Sequence, residues 1–261
     1  MPTSDNVLLV ETRGAVLRLT LNRPARRNAL NDDLILELTK AISEVSHDPA
    51  VRAVVLTGAG DQAFCAGADL NPDSKTFGFD YATPTTDYAN LLRAARAAPV
   101  PIIGRVNGYC LAGGMGLLAV CDMAVASSSA IFGLPEVKVG LFPMQVAALL
   151  QTIVPARKFA ELCFTGEMFS AAEALEFSLV NYVAEPDALD ARVDWLVHRV
   201  IDKSPTAIRR GKHALTEMTG MTYQQAIAFM EAQVGLLPLT EDAKEGMTAF
   251  AEKRPPVWEG R

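Results

Sequence analysis

Up to about residue 145 this chain keeps alternating short strand-like runs with helix-like ones, and beyond that point the strand-like runs stop. The segment "NVLLVETRGAVLRLTLNRP" alternates apolar and polar residues on both sides of Arg13-Gly14, the pattern of a hairpin that ends at Pro24. "LNDDLILELTKAISEVSHD" follows with Asn31 as an N-cap, acids in the first turn and apolar residues at helical spacing, with His47 at its end. "VRAVVLTG" reads as a short buried strand, and "VPIIGRVNG" as another, preceded by the helix "TDYANLLRAARAAP". "CDMAVASSSAIFG" supplies two further short strands around a serine-rich turn. Strands that alternate with helices at such intervals place the chain in the α/β class.

The tail has a different character. "QVAALLQTIVPARKFAELCFTG", "SAAEALEFSLV", "DALDARVDWLVHRVIDKS", "SPTAIRRGKHALTEM", "TYQQAIAFMEAQVGLLP" and "TEDAKEGMTAFAEKR" all carry helical apolar spacing, with Ser170 and Asp187 as caps. Several of these helices are apolar on more than one face, which suggests that they pack against a neighbouring subunit as well as the core. With 261 residues, half of them hydrophobic, the chain can bury the core of one large domain or of a domain with an appendage. No Gly/Ser linker, internal repeat or low-complexity segment divides it.

Charge and composition exclude several functions. A net charge of -6, a pI near 5.2 and no long Lys/Arg run argue against a nucleic-acid partner. The opening "MPTSDNVLLVETRG" has Asp5 where a secretory signal carries basic residues, and the weakly polar stretch Val106 to Val120 is too short to span a bilayer. A cytoplasmic protein without membrane insertion is expected. Cys65, Cys110, Cys121 and Cys163 have no C-x-x-C spacing, and His47, His198 and His213 are far apart, so reduced structural thiols are favoured over a metal site or disulfides. His198 and His213 read as helix surface.

Gly58 to Ala63, "GAGDQA", follows a strand and matches G-x-G-x-x-[GA], with Asp80 about twenty residues on, as a dinucleotide fingerprint requires. The following "DQAFCAGADLNPD" lacks helical spacing, so these glycines read as a turn. "AFCAGADL" and "VNGYCLAGGMGLLAVCD" are better explained together. Each places small residues after a strand, where a backbone N-H without an intrahelical acceptor is available at a helix start. Two such groups converging make an oxyanion hole. Close helix packing through small residues accounts for the same spacing equally well.

"LNRPARRNAL", "AFCAGADL", "VNGYCLAGGMGL", "FGLPEVKVGLFP" and the closing "EGMTAFAEKRPPVW", taken together and in this order, resemble the crotonase superfamily, the enoyl-CoA hydratase/isomerase family. The resemblance implies a spiral of β-β-α repeats over residues 1–200, then a helical region over 201–261 used for oligomerisation and CoA contact. It also implies a homotrimer or dimer of trimers acting on acyl-CoA thioesters, with no cofactor beyond the coenzyme A of the substrate. By the same resemblance Ala68 and Gly113 are the two backbone donors to the thioester oxygen. Ala66, Ala68, Asp69, Leu70 and Asn71 line the mouth through which CoA passes, with Gly114 beside the second donor. Ala25, Arg26 and Arg27 lie where the nucleotide or pantetheine arm is held, with Arg26 as phosphate partner. Phe250 and Lys253 resemble residues that reach CoA, whereas Arg23 and Arg254 read as solvated surface.

The chain departs from the family at its carboxylates. A hydratase of this kind uses two glutamates; Glu136 of "GLPEV" matches the second, and the first falls on Gly116. One carboxylate above an oxyanion-stabilised dienolate can take a proton from one carbon and return it to another, so the loss favours double-bond isomerisation over hydration. Hydration requires a relocated second group, for which Asp73, Asp80, Tyr81 and Asp87 are the candidates. Dehalogenation is disfavoured, because Met144 and Glu136 stand where that reaction needs an aspartate and a tryptophan. Acyl-CoA hydrolysis or decarboxylation and non-catalytic acyl-CoA binding are the alternatives. Asp122 of "VCDM" reads as a buried acceptor for backbone N-H groups.

Overall fold

The computed structural model describes residues 6–70 and 81–261. In chain order the elements are β1 (Leu8–Arg13), β2 (Val16–Leu21), α1 (Asp32–Glu44), β3 (Ala53–Gly58), β4 (Ala63–Cys65), α2 (Asp87–Ala97), β5 (Ile102–Val106), β6 (Tyr109–Leu111) and α3 (Gly113–Ala119). These are followed by β7 (Met123–Ser127), β8 (Ile131–Gly133), α4 (Met144–Leu150), α5 (Ala156–Thr165), β9 (Met168–Ser170), α6 (Ala171–Glu176) and β10 (Tyr182–Ala184). The chain closes with α7 (Leu189–Ile201), α8 (Pro205–Glu217), α9 (Tyr223–Leu236) and α10 (Glu241–Glu252).

The strands form two sheets, ordered β1-β2-β3-β5-β7-β10 and β4-β6-β8-β9. Each turn of the chain adds one strand to the first sheet and then one to the second: β3 then β4, β5 then β6, β7 then β8. A helix follows each such pair, so the alternation read from the sequence is a β-β-α spiral. The β1–β2 hairpin is antiparallel, from Leu8 opposite Leu21 to Arg13 opposite Val16, and β2, β3, β5, β7 and β10 then pair in parallel.

Parallel strands covered on both faces read as continuous apolar runs, and every residue of β3 is buried. Its side chains alternate between two cores. Val54 and Leu56 join Leu34, Leu38, Leu91, Phe64 and Phe132 on one side. Ala53 and Val55 join Ile103, Val125 and the α7 residues Leu189, Val193 and Val197 on the other. Each of the larger of these side chains contributes roughly 1.5–3 kcal/mol by burial.

Local signals behave as their chemistry dictates. Asn31 caps α1 by accepting from the Leu34 N-H, and Ser170 forms a capping box with Glu173 on α6. Asp187 does not cap α7: Pro186 opens a 3-10 turn over Pro186–Ala188, which puts Ala188 at the cap position. Pro155 divides the first tail segment into α4 and α5, and β9 and β10 interrupt the helices after residue 145. These two strands are three residues each, too short to show a period. After Gly58 the chain turns straight into β4, without the helix a dinucleotide fingerprint needs. A side chain at Gly58 would collide with the carbonyls of Ala63 and Phe64. All four cysteines are free, and burial pushes the thiols of Cys65 and Cys163 up to about 12 and about 11. Helix α9 has no buried residue although it is rich in apolar side chains, with Tyr223, Ile227, Val234 and Leu236 exposed.

Candidate active site

Two loops, each leaving a strand of the second sheet, meet beside α3. In the first, after β4, Leu30 and Ala68 form an isolated parallel bridge: the Leu30 N-H donates to the Gly67 carbonyl at 2.8 Å, and the Asp69 N-H donates to the Leu30 carbonyl at 2.8 Å. This pairing turns Ala68's own N-H away from Leu30, and it meets no acceptor among the described residues. Ala68 thus sits in a bridge with Leu30, shortly before the segment 71–80 that lies outside the described residues.

The loop is pinned from below. Asn28, fully buried with a left-handed φ of 55°, donates to the carbonyls of Ala59 and Ala63 and accepts from the Arg23 N-H. The Arg23 guanidinium donates to the Ala29 carbonyl and pairs with Asp69 at 2.7 Å. Arg23 is thus a largely enclosed clamp and not solvated surface, because Asp69 and a backbone carbonyl replace its water. Arg254 is exposed but paired with both Glu245 and Glu252.

The second loop turns from β6 into α3 at Ala112, whose φ of 49° and ψ of -120° are costly for a residue with a side chain. Ala112 is held there by its N-H, which donates to the Gly133 carbonyl at 3.0 Å. The turn places Gly113 first in α3, where its N-H has no intrahelical acceptor. The two loops touch: a methyl on Gly67 would lie 3.3 Å from the Gly113 nitrogen and 2.7 Å from the Ala112 Cβ. Gly67, with φ of 95°, is therefore excluded from bearing a side chain on both conformational and steric grounds. The neighbouring Gly114 packs against the Cys65 carbonyl.

Glu136 arrives from a 3-10 turn, Pro135–Val139, which follows β8 and ends at Gly140 in the left-handed region. Its side chain is half-buried, and Oε2 is buried with no hydrogen-bond partner among the described residues. Burial pushes its carboxyl above the ordinary glutamate range. An incompletely satisfied, desolvated carboxylate is the state in which a side chain can accept and return a proton near neutral pH.

The space at Gly116 is filled. The Tyr88 hydroxyl, from the first turn of α2, lies 2.1 Å from where a Cβ on Gly116 would be, and it donates to the Gly113 carbonyl at 2.5 Å. Burial, with Cys65, Cys110 and Glu136 nearby, pushes the phenol well above its ordinary value, so it stays neutral. Sequence reasoning passes over Tyr88, since in "TDYANLL" it reads as one more apolar position of a helix.

The remaining candidates are distributed around this centre. Ala25 and Arg26 are exposed in the 3-10 turn Pro24–Arg26, and the exposed Arg27 lies over the Tyr109 ring at 5.5 Å. Ala66 donates its N-H to the Arg27 carbonyl at 3.0 Å, and Leu70 is exposed. Asn71, Asp73 and Asp80 lie outside the described residues, while Tyr81 and Asp87 are exposed. Phe250, 88% exposed on α10, and Lys253, at the helix's C-cap, project from the tail. Asp122 accepts the Ile102 N-H as expected, but it is exposed and not buried, and it also pairs with Lys212 of α8 at 2.7 Å. Among the described residues no group of three or more His, Cys, Asp or Glu is placed to hold a metal ion, and no helix is long and apolar enough to cross a membrane.

Known proteins share this fold. The enoyl-CoA hydratase/isomerase family model matches residues 11–261. The short-chain-enoyl-CoA hydratase of Clostridium acetobutylicum is 35% identical over 250 residues, covering 95% of this chain and 96% of that protein. The crotonyl-CoA hydratase of Syntrophomonas wolfei is 35% identical over 251 residues, covering 96% of each. The crystal structure of an enoyl-CoA hydratase of Mycobacterium smegmatis superimposes with a TM-score of 0.89 at 33% identity, covering 97% of this chain and 99% of that one. With its β-β-α spiral, C-terminal helices and five motifs in register, the chain belongs to the enoyl-CoA hydratase/isomerase family of the crotonase superfamily.

Proposed function

We propose that this protein acts on an unsaturated acyl-CoA thioester, with the N-H groups of Ala68 and Gly113 receiving the thioester oxygen and Glu136 moving the proton. The observation that carries this reading is the pairing of two backbone donors on touching loops with one half-buried carboxylate, none of the three having a partner at the N-H or Oε2 among the described residues. Polarising the thioester lowers the cost of forming an enolate or dienolate, and Glu136 transfers the proton between carbons. With glycine at 116 and a neutral phenol against it, position 116 supplies no carboxylate beside Glu136, which favours a double-bond shift. Hydration is the second reading, because the similar proteins are named hydratases. It needs a second group, such as Asp73, Asp80, Tyr81 or Asp87, to handle water.

Coenzyme A enters as part of the substrate, and the proposed chemistry asks for no resident cofactor. Ala25, Arg26 and Arg27 hold the nucleotide or pantetheine arm; Ala66, Asp69, Leu70, Asn71 and Gly114 border the thioester, with Asp69 acting from its ion pair with Arg23. Phe250 and Lys253 reach the CoA of the same or a neighbouring subunit. The exposed apolar side chains of α9 support self-association as a trimer or dimer of trimers, and a cytoplasmic location suits CoA substrates.

The deciding experiment incubates 2-enoyl- and 3-enoyl-CoA panels with the protein in deuterated water and reads the products by mass. Deuterium exchange or isomerisation without added water supports the one-carboxylate reading, and a gain of D2O establishes hydration. Thioester or carboxylate loss would point to hydrolysis or decarboxylation. Tight binding with no chemical change across the panel would leave a binding protein.

A further inference from the structure

The Tyr88–Gly116 contact has more content than packing. Even a methyl at position 116 would overlap the Tyr88 oxygen, with Val146 Cγ2 at 3.2 Å closing the other side. Position 116 therefore has no side chain because Tyr88 occupies its place. The phenol ends on the carbonyl of Gly113, the residue whose N-H is one of the two donors. Gly113 and Gly114 are consecutive glycines, the least constrained backbone available, and they follow a residue at φ 49°. On the upstream side the Ala112 N-H is tied to Gly133; on the downstream side Tyr88 supplies the tie from another helix.

We propose that Tyr88 is a positioning residue of the active site: its hydroxyl takes the volume of a side chain at 116 and fixes the Gly113 carbonyl, so that the Gly113 N-H stays aimed at the thioester oxygen. This rests on the acyl-CoA reading above. Tyr88 gives up no proton in the reaction; its hydroxyl hydrogen stays on the phenol oxygen, donated to the Gly113 carbonyl, and proton transfer stays with Glu136. The donor at Gly113 is worth most when it needs no reorganisation as negative charge develops. Tyr88 and Gly116 form one unit in this design, since neither can be altered without disturbing the other.

The test uses Tyr88→Phe, which deletes only the hydroxyl. Loss of one hydrogen bond that acts through geometry should lower kcat by roughly tenfold, with KM nearly unchanged. The carbonyl carbon of a bound, 13C-labelled saturated acyl-CoA should shift toward its value in free solution, a readout that a purely structural role would leave alone. Gly116→Ala should lower kcat comparably in the native background and far less in the Tyr88→Phe background, where the overlapping oxygen is gone. The Tyr88→Phe kcat and carbonyl shift still judge the assignment if Gly116→Ala is poorly folded. Wild-type kcat and an unshifted carbonyl signal in Tyr88→Phe, or strictly additive effects of the two substitutions, would overturn the assignment. If wild-type protein neither binds nor converts any acyl-CoA, the acyl-CoA reading falls and takes this one with it. If wild-type turnover is abolished by Glu136→Gln but untouched by Tyr88→Phe, only the role of Tyr88 falls.

Discussion

The two ends of α3 are built on opposite principles. At its C-terminal end the polar side chains are partnered: Asp122 accepts from Ile102 and Lys212, Lys212 also donates to the Val100 carbonyl, and the Cys121 thiol donates to Leu117. At its N-terminal end the Gly113 and Ala68 N-H groups and the Glu136 Oε2 have no partner among the described residues, and Ala112 is held at a positive φ. One end satisfies its groups and holds the helix; the other leaves open the groups that the proposed chemistry uses. An open groove of about 520 Å³ lies at the satisfied end, lined by Lys212, Leu215 and Thr219 among others.

If this contrast is right, substitutions at the two ends should separate activity from stability. The largest effect is expected at Glu136. Glu136→Gln should lower kcat on the true enoyl-CoA by about 10²–10⁴ while acyl-CoA affinity, measured calorimetrically, changes little; full turnover would remove Glu136 from the mechanism. In the native enzyme kcat/KM should rise with pH along a single acid limb placed above the ordinary glutamate range, because burial raises that carboxyl. A limb at or below that range would contradict the desolvated site.

Next comes Lys212→Met at the satisfied end, which strands Asp122 and the Val100 carbonyl. Buried pairs broken on one side cost about 3–5 kcal/mol; with the Asp122 side chain 33% exposed, about 2 kcal/mol is expected from urea unfolding, with kcat/KM unaltered. A matching loss of kcat/KM in the folded variant would show that the two ends are coupled.

A smaller effect concerns stability at the open end. A carboxyl whose folded pKa lies above its unfolded value contributes stability below the unfolded pKa and loses it as pH rises through the folded one. Glu136→Gln should therefore melt about 2–4 °C higher than the native protein at neutral pH, if about 1 kcal/mol is relieved. The gap should close below about pH 4. A variant that melts lower at pH 7 would show that the carboxylate is stabilised in the fold.

The smallest change is expected from Ala112→Gly. Relief of the positive φ, worth about 1 kcal/mol or a little more, is offset by the greater freedom of glycine in the unfolded chain. Unfolding free energy should stay within about 1 kcal/mol of native, and loss of activity at preserved stability would assign the strain to function.

Much of this was legible in the sequence because it depends on local chemistry. The hairpin around Arg13-Gly14, the Asn31 cap, the buried run of β3 and the Glu136 motif are each written within a few consecutive residues. The short strands β9 and β10 were not legible, since three residues carry no period and their pairing partners are distant in the chain. Arg23 looked like surface because the neighbours that enclose it, Ala29 and Asp69, are brought by a loop crossing. Tyr88 was hidden for the same reason: its meaning depends on a glycine 28 positions later in the chain, on another helix. The absence of a side chain at Gly116 was visible, but what occupied the space was not.

The strand order of the large sheet has a consequence for how the molecule is made. Reading β1-β2-β3-β5-β7-β10 across the sheet is also reading it from N- to C-terminus, so each strand leaving the ribosome meets an edge already completed by those before it. No strand of this sheet must be inserted between two earlier ones. Synthesis at about 5–20 residues per second leaves time for each turn to settle on the last. The candidate active site is assembled midway, as β6, α3 and β8 follow β4, whereas Lys212 arrives only with α8 and latches onto Asp122 after the spiral has wound. A stalled or truncated chain ending before α8 would carry the two loops of the candidate site without the latch that secures the far end of their helix.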